Sequence, residues 1–170
     1  MDKKKVFILI GIFWILIIGG FIFFKEFTLK TGEEILLKNI PVDPRDLFRG
    51  DYVILRYEIS EIKTDELAFK GSDFEIGDDI FVLLNIDDTK QAILSDIAKV
   101  KPEDKTFIKG TIKKAYDNRL VIEYGIESYF VPENTGKEIE RERENIYTKI
   151  ALDGFGRAVI KNLVLDGEDI

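Results

Sequence analysis

Between Lys5 and Lys25 lie nineteen uncharged residues, VFILIGIFWILIIGGFIFF, and no other stretch limits the possible folds of this chain so strongly. A helix over residues 6–24 rises roughly 28 Å, which matches the about 30 Å hydrocarbon core of a bilayer. Gly11, Gly19 and Gly20 are its only small residues, and membrane helices tolerate glycine. Lys3, Lys4 and Lys5 precede the run and favour a cytoplasmic N-terminus, which sends the later residues across the membrane. The expected layout is a cytoplasmic N-terminus over 1–5, a transmembrane anchor over 6–24 and an extracytoplasmic domain over 25–170. A cleaved signal peptide is the competing reading, but its apolar region spans only about 7–15 residues and ends at a small-residue cleavage site. Here the run is longer and is succeeded by Phe23-Phe24-Lys25-Glu26-Phe27. The sequence therefore favours an uncleaved, single-pass anchor in the cell membrane.

Composition matters most for what it removes. Setting aside Lys3, Lys4, Lys5 and Asp2, the chain keeps 22 of its 25 basic and 31 of its 32 acidic residues, a net charge of −9 beyond the anchor. Such a domain has no electrostatic reason to bind nucleic acid. There is no cysteine, hence no disulfide framework and no thiol for lipid attachment. There is no histidine either, which removes His-based acid/base catalysis, Ser-His-Asp triads and most transition-metal sites. No cofactor and no metal site is expected.

Beyond the anchor the residues alternate as strands do. Segments 35–40, 52–59, 80–86, 107–114, 120–124, 129–131, 147–152 and 158–165 are short, rich in β-branched or aromatic residues and bounded by turn formers. In segment 52–59, Val53, Leu55 and Tyr57 share one face, while Ile54, Arg56 and Glu58 share the other. Segment 80–86, IFVLLNI, is apolar throughout, as in a strand covered on both faces. Segment 93–100 is ambiguous, and 135–144 has the charge spacing of a short exposed helix. Asp117-Asn118 and Asp153-Gly154-Phe155-Gly156 are hairpin signals. The fold class expected is mainly β: an antiparallel barrel-like or sandwich-like domain carried on one N-terminal transmembrane helix.

The densest motif runs from Pro41 to Tyr57, PVDPRDLFRGDYVILRY. Prolines at 41 and 44 stiffen its entry, and Gly50-Asp51 turns sharply into the best strand. A turn aspartate can accept backbone N–H bonds and pin the corner. Arg45, Arg49 and Asp51 are then either structural staples or groups offered to a partner. On these residues the chain resembles the GDYXXLXY proteins, matching as Gly50, Asp51, Tyr52, Leu55 and Tyr57. A second matching block is Tyr124-Gly-Ile-Glu-Ser-Tyr-Phe-Val-Pro-Glu133, with Gly136 and Glu140 after it. The resemblance implies a single-pass bacterial membrane protein with an outer β-domain, often encoded beside polytopic membrane proteins, and no established enzymatic activity. The candidate binding residues are Arg45, Arg49, Gly50, Asp51, Tyr52, Tyr57, Tyr124, Tyr129 and Glu133, the tyrosines because they bury area while keeping a hydroxyl; for Tyr124 and Tyr129 core and edge packing in a small barrel is the favoured alternative.

Catalysis finds little support. Pro44, Leu47 and Gly50-Asp51 are similar to the corner of membrane-anchored Ser/Lys signal peptidases, with one residue too many between proline and glycine. Residues 32–56 contain no serine to act as nucleophile. Ser60, Ser72, Ser95 and Ser128 are scattered. Asp78-Asp79 and Asp87-Asp88 lack the ligand spacing of a calcium loop, and Asp51, Glu58 and Glu123 are weak candidates for a carboxylate pair. The expected function is a non-catalytic accessory or binding subunit, attached to the bilayer and associated with a polytopic membrane protein or another envelope component. A degenerate signal-peptidase-like or carboxylate-based envelope hydrolase is the alternative. A sensor ectodomain is the weaker third reading, because about five cytoplasmic residues leave signalling to a partner. No G-x-x-x-G pattern supports self-association of the anchor.

Overall fold

A computed structural model of the chain describes residues 3–40, 48–49, 52–65, 67, 73–116, 118–130, 146–165 and 167–169. The apolar run lies within one long helix, α1 (Lys3–Thr31), long and apolar enough to cross a membrane. None of its apolar window is buried inside the structure. The helix outlasts the apolar run by seven residues, across which Glu26 and Lys30 pair at 3.0 Å one turn apart. It stops at Gly32, whose N–H closes the last turn on the Thr28 carbonyl at 2.8 Å. A strand begins at the next residue.

Gly32 is required by proximity. A Cβ there would stand 2.6 Å from the Thr28 carbonyl oxygen, 2.8 Å from that of Leu152 and 3.1 Å from the Ala151 Cβ. Without a side chain the helix end rests directly on the sheet. Thr28, the only buried residue of α1, donates its hydroxyl to the Phe24 carbonyl at 3.2 Å.

The rest of the described chain is a curled antiparallel β structure. One sheet has the order β1-β10-β11-β12, formed by β1 (Glu33–Lys38), β10 (Ile146–Leu152), β11 (Ala158–Leu165) and β12 (Glu168–Asp169). A small second sheet places β3 (Tyr52–Ile54) between β2 (Phe48–Arg49) and β9 (Ser128–Phe130). The third has the order β4-β8-β7-β5-β6, with β4 (Glu61–Lys63), β5 (Asp79–Ile86), β6 (Ala92–Ala98), β7 (Phe107–Tyr116) and β8 (Arg119–Glu123). Register shifts at Leu83/Leu84, Ile112/Lys114 and Lys149/Ile150 increase local twist and bend the strands. Isolated bonds close the seams: the Leu36 N–H reaches the Lys90 carbonyl at 2.8 Å, and the Lys109 N–H reaches that of Gly156 at 2.8 Å. Ile35, Leu37, Ile80, Val82, Ile108, Ile112, Leu120 and Ile150 fill the concave side and are essentially inaccessible.

The mainly β expectation holds, and most segments appear where alternation places them. Most of the ambiguous stretch 93–100 belongs to strand β6, which pairs antiparallel with β5 across the register shift at Leu83/Leu84. Segment 52–59 departs from its reading as one strand. Only Tyr52–Ile54 pairs with β9; the Leu55 N–H then turns to the Glu127 carbonyl, Tyr57 bridges Asn39, and Glu58–Ser60 close a 3₁₀ turn. The chain passes from one sheet to another within eight residues, so no single partner strand supports the whole length. Its facing is as expected: Val53, Leu55 and Tyr57 are buried, while Arg56 and Glu58 are exposed. Strands β2, β4 and β12 lie outside the segments predicted from sequence, each being two or three residues long with at least one charged residue. The helix expected over 135–144 falls outside the described residues.

One buried polar pair ties this crossing point to the first sheet. The Thr148 hydroxyl donates to Asn39 Oδ1 at 2.8 Å, and both residues are buried. Thr148→Val keeps the shape and removes the donor, so it is expected to cost about 1–3 kcal/mol, as for an orphaned buried acceptor. Thermal unfolding of the full-length protein in detergent measures it; an unchanged melt would mean that water replaces the hydroxyl.

Candidate functional site

The two sequence blocks of the family resemblance meet in space. Strand β3 begins with the motif tyrosine and pairs with β9 from the second block, Tyr52 opposite Phe130, Val53 opposite Tyr129 and Ile54 opposite Ser128. On its other edge β3 pairs with β2, Arg49 opposite Tyr52. The backbones of Arg49, Tyr52 and Tyr129 are therefore adjacent. Arg45, Gly50, Asp51 and Glu133 lie outside the described residues.

Two of the candidate tyrosines turn inward. Tyr57 is fully buried, and its hydroxyl donates to the Ile126 carbonyl at 2.5 Å. Tyr124 is nearly so, with its hydroxyl on the Ile59 carbonyl at 2.5 Å. Their rings meet edge-on, centroids 6.5 Å apart at 64°. Each ring thus ties the loop that carries the other: Tyr57 holds the turn after Tyr124, and Tyr124 holds the turn after Tyr57. Burial pushes both phenols well above their usual range, and the nearby Glu127 carboxylate adds to the effect. Neither hydroxyl is free for a ligand, so both are core ties rather than rim contacts. Tyr129 is half-buried against the same core. Gly125 has open space beside it and a φ of +78°, so its backbone conformation rather than a close approach is what requires glycine there.

Three carboxylates of the acidic pairs considered for cations, Asp78, Asp79 and Asp87, are engaged within the chain. One Asp87 carboxylate oxygen accepts from the Thr89 N–H, the Thr89 hydroxyl and the Gln91 N–H at 2.6–2.8 Å; the Thr89 hydroxyl bond leads in holding its pKa down. Asp78 accepts from the Glu75 N–H at 2.9 Å. Asp79 pairs with Lys109 at 2.7 Å, and this bond is the main reason its carboxyl titrates low. Among the described residues no cluster of carboxylates is arranged to hold a metal. Glu58 and Glu123 pair with different lysines, Lys38 and Lys113. Ser60 is buried and accepts the Tyr57 N–H at 3.2 Å, and among the described residues no serine hydroxyl is bonded to a lysine.

A cleft that sequence reasoning did not single out lies where α1 crosses the β structure. Its volume is about 440 Å3, and it is walled by Phe21, Phe24 and Lys25 of the helix and by Lys109, Tyr124 and Arg157 of the β structure. Arg157 lies 4.8 Å above the Phe24 ring and 5.2 Å from that of Phe155. It is aimed by the β10–β11 turn, where one Asp153 carboxylate oxygen accepts from the N–H groups of Phe155 at 2.8 Å and Arg157 at 2.9 Å. Gly156 completes the turn at a φ of +77°, and a Cβ there would lie 2.6 Å from the Phe107 ring. The Asp-Gly-Phe-Gly signal was legible as a hairpin; its placement beside the helix was not, since the two are about 130 residues apart in the chain.

The pairing of the two motif blocks in one sheet accords with a similarity that extends along the chain. The sequence model of the GDYXXLXY proteins matches residues 14–163, taking in part of the helix and nearly all of the β structure. The chain belongs to the GDYXXLXY protein family. No curated protein and no solved structure matches it. Within this family member, Tyr57 and Leu55 of the motif are core residues, and Tyr52 contributes backbone to the sheet that joins both blocks.

Proposed function

We propose that this GDYXXLXY protein is a single-pass membrane-anchored, extracytoplasmic accessory subunit, without catalysis of its own, that associates with a polytopic membrane protein. The observation that carries the reading is α1. None of its apolar window is buried among the described residues, and an exposed surface of this kind needs lipid or another protein around it. The lysines at 3–5 favour a cytoplasmic N-terminus, with the β-domain on the opposite side. The rigid junction at Gly32 allows only one residue between helix and sheet, so the domain stands close against the membrane surface and beside any neighbouring transmembrane protein. The lack of histidine and cysteine, and the internal use of the carboxylates described above, favour binding over chemistry.

The test is purification of the tagged full-length protein from native membranes after mild crosslinking, with the recovered proteins identified by mass spectrometry. A polytopic membrane protein in stoichiometric amount is the expected result. Recovery of the protein alone across several detergent strengths would overturn the accessory-subunit reading.

A further inference from the structure

We infer that the cleft between α1 and the β structure is a binding site for the headgroup of an anionic phospholipid. The inference rests on the membrane-anchor reading proposed above and adds a ligand to it. Phe21 and Phe24 lie in the last turns of the apolar run and form one wall of the cleft. Lys25, on the same wall, is the first charged residue after that run. In a bilayer this transition marks the level at which acyl chain gives way to glycerol and phosphate. A ligand spanning it is apolar at one end and polar at the other.

The charges select its sign. Two carboxylates face the cleft, and both are already engaged, Asp79 by Lys109 at 2.7 Å and Glu123 by Lys113. Two cations remain. Lys25 has no ion-pair partner among the described residues, and Arg157 has only the longer 3.5 Å approach to Asp153. Arg157 is held over the Phe24 ring, so its stem is fixed while its guanidinium edge stays open to a phosphate. The volume of about 440 Å3 lies at the low end of ligand pockets, enough for a headgroup and the glycerol beneath it, with the acyl chains running along Phe21 and Phe24 into the bilayer. The cleft thus sets two incompletely paired cations, Lys25 and Arg157, beside the aromatic rings of Phe21 and Phe24 at the end of the anchor.

The experiment uses full-length protein in nanodiscs of phosphatidylcholine and phosphatidylglycerol, released and weighed intact by native mass spectrometry. One phosphatidylglycerol retained in preference to phosphatidylcholine is expected. Lys25→Glu with Arg157→Glu should reduce that preference about tenfold or more, since each basic residue near an anionic surface is worth about fivefold. Lys25→Gln alone, a change on an exposed helix face, should reduce it about fivefold without touching the β structure. Lys30→Glu, outside the cleft, should leave it unchanged. Equal retention of both lipids, or a preference that survives the charge changes, would overturn the inference. Displacement of the bound lipid by soluble glycerol 3-phosphate at equal concentration would overturn the lipid assignment in favour of a free phosphate ester. Alkaline carbonate extraction separates the two levels. A protein washed from the membrane overturns the anchor and the cleft together, whereas one that stays in the pellet without a preferred lipid overturns the cleft alone.

Discussion

Replacing Tyr57 with alanine should cost the β structure about 3–5 kcal/mol, the range for removing a large buried aromatic and a substantial share of a small domain's stability. The ring is fully buried, meets Tyr124 edge-on, and its hydroxyl anchors the Ile126 carbonyl. Tyr57→Phe keeps the ring and strands the carbonyl, for an expected loss of about 1–3 kcal/mol. The phenylalanine variant also carries a pH signature. Burial raises the Tyr57 pKa in the folded state above its unfolded value of about 10. The corresponding stability is complete below that unfolded value and is lost as pH rises beyond it, because the unfolded chain releases a proton that the folded chain keeps. Unfolding of the wild type between pH 9 and 11 should therefore steepen more than that of Tyr57→Phe. Parallel curves would mean that the folded tyrosine ionises normally and that the core around it opens.

Gly32→Val is expected to separate the helix from the sheet. The new side chain meets two carbonyl oxygens of the backbone and the Ala151 Cβ, none of which can rotate away, so either the helix end lifts or strand β10 shifts. Overpacking of this kind costs about 1–3 kcal/mol. Beyond a lower melt in detergent, the variant should show new protease cuts between the helix and β1, and its loss of preferred lipid should resemble that of the cleft charge variants. Gly32→Ala should show the same changes to a smaller degree. Wild-type stability and protease resistance in Gly32→Val would mean that α1 does not rest on β10, and the cleft would lose one of its walls.

Several features were legible in the sequence because they depend on near neighbours. The helix arises from an uninterrupted apolar run, and most strands arise from alternation with turn residues between them. The inward set Val53, Leu55 and Tyr57 could be read from a period of two. Contacts between distant residues could not. The sequence left Tyr57 and Tyr124 open between packing and a binding surface; the partners of their hydroxyls, carbonyls 69 and 65 residues away, could not be read from it. Segment 52–59 was read as one strand because its residues have high strand propensity, and propensity does not report that the neighbouring chain changes halfway along.

The amino-acid sequence by itself determined the apolar helix, the mainly β character of the chain beyond it, the absence of histidine and cysteine chemistry, and membership of the GDYXXLXY family through two blocks in fixed order. Only the tertiary structure decided that those blocks are adjacent strands, that Tyr57 of the motif serves the core, and that the Asp153–Arg157 turn lies against the end of the helix. The physical reason is range. Periodicity and charge act over a few residues and survive in a linear reading, whereas a cleft walled by Phe24 and Arg157 exists only after sheet curvature and a side-chain-free contact at Gly32 have brought the two ends of the chain together.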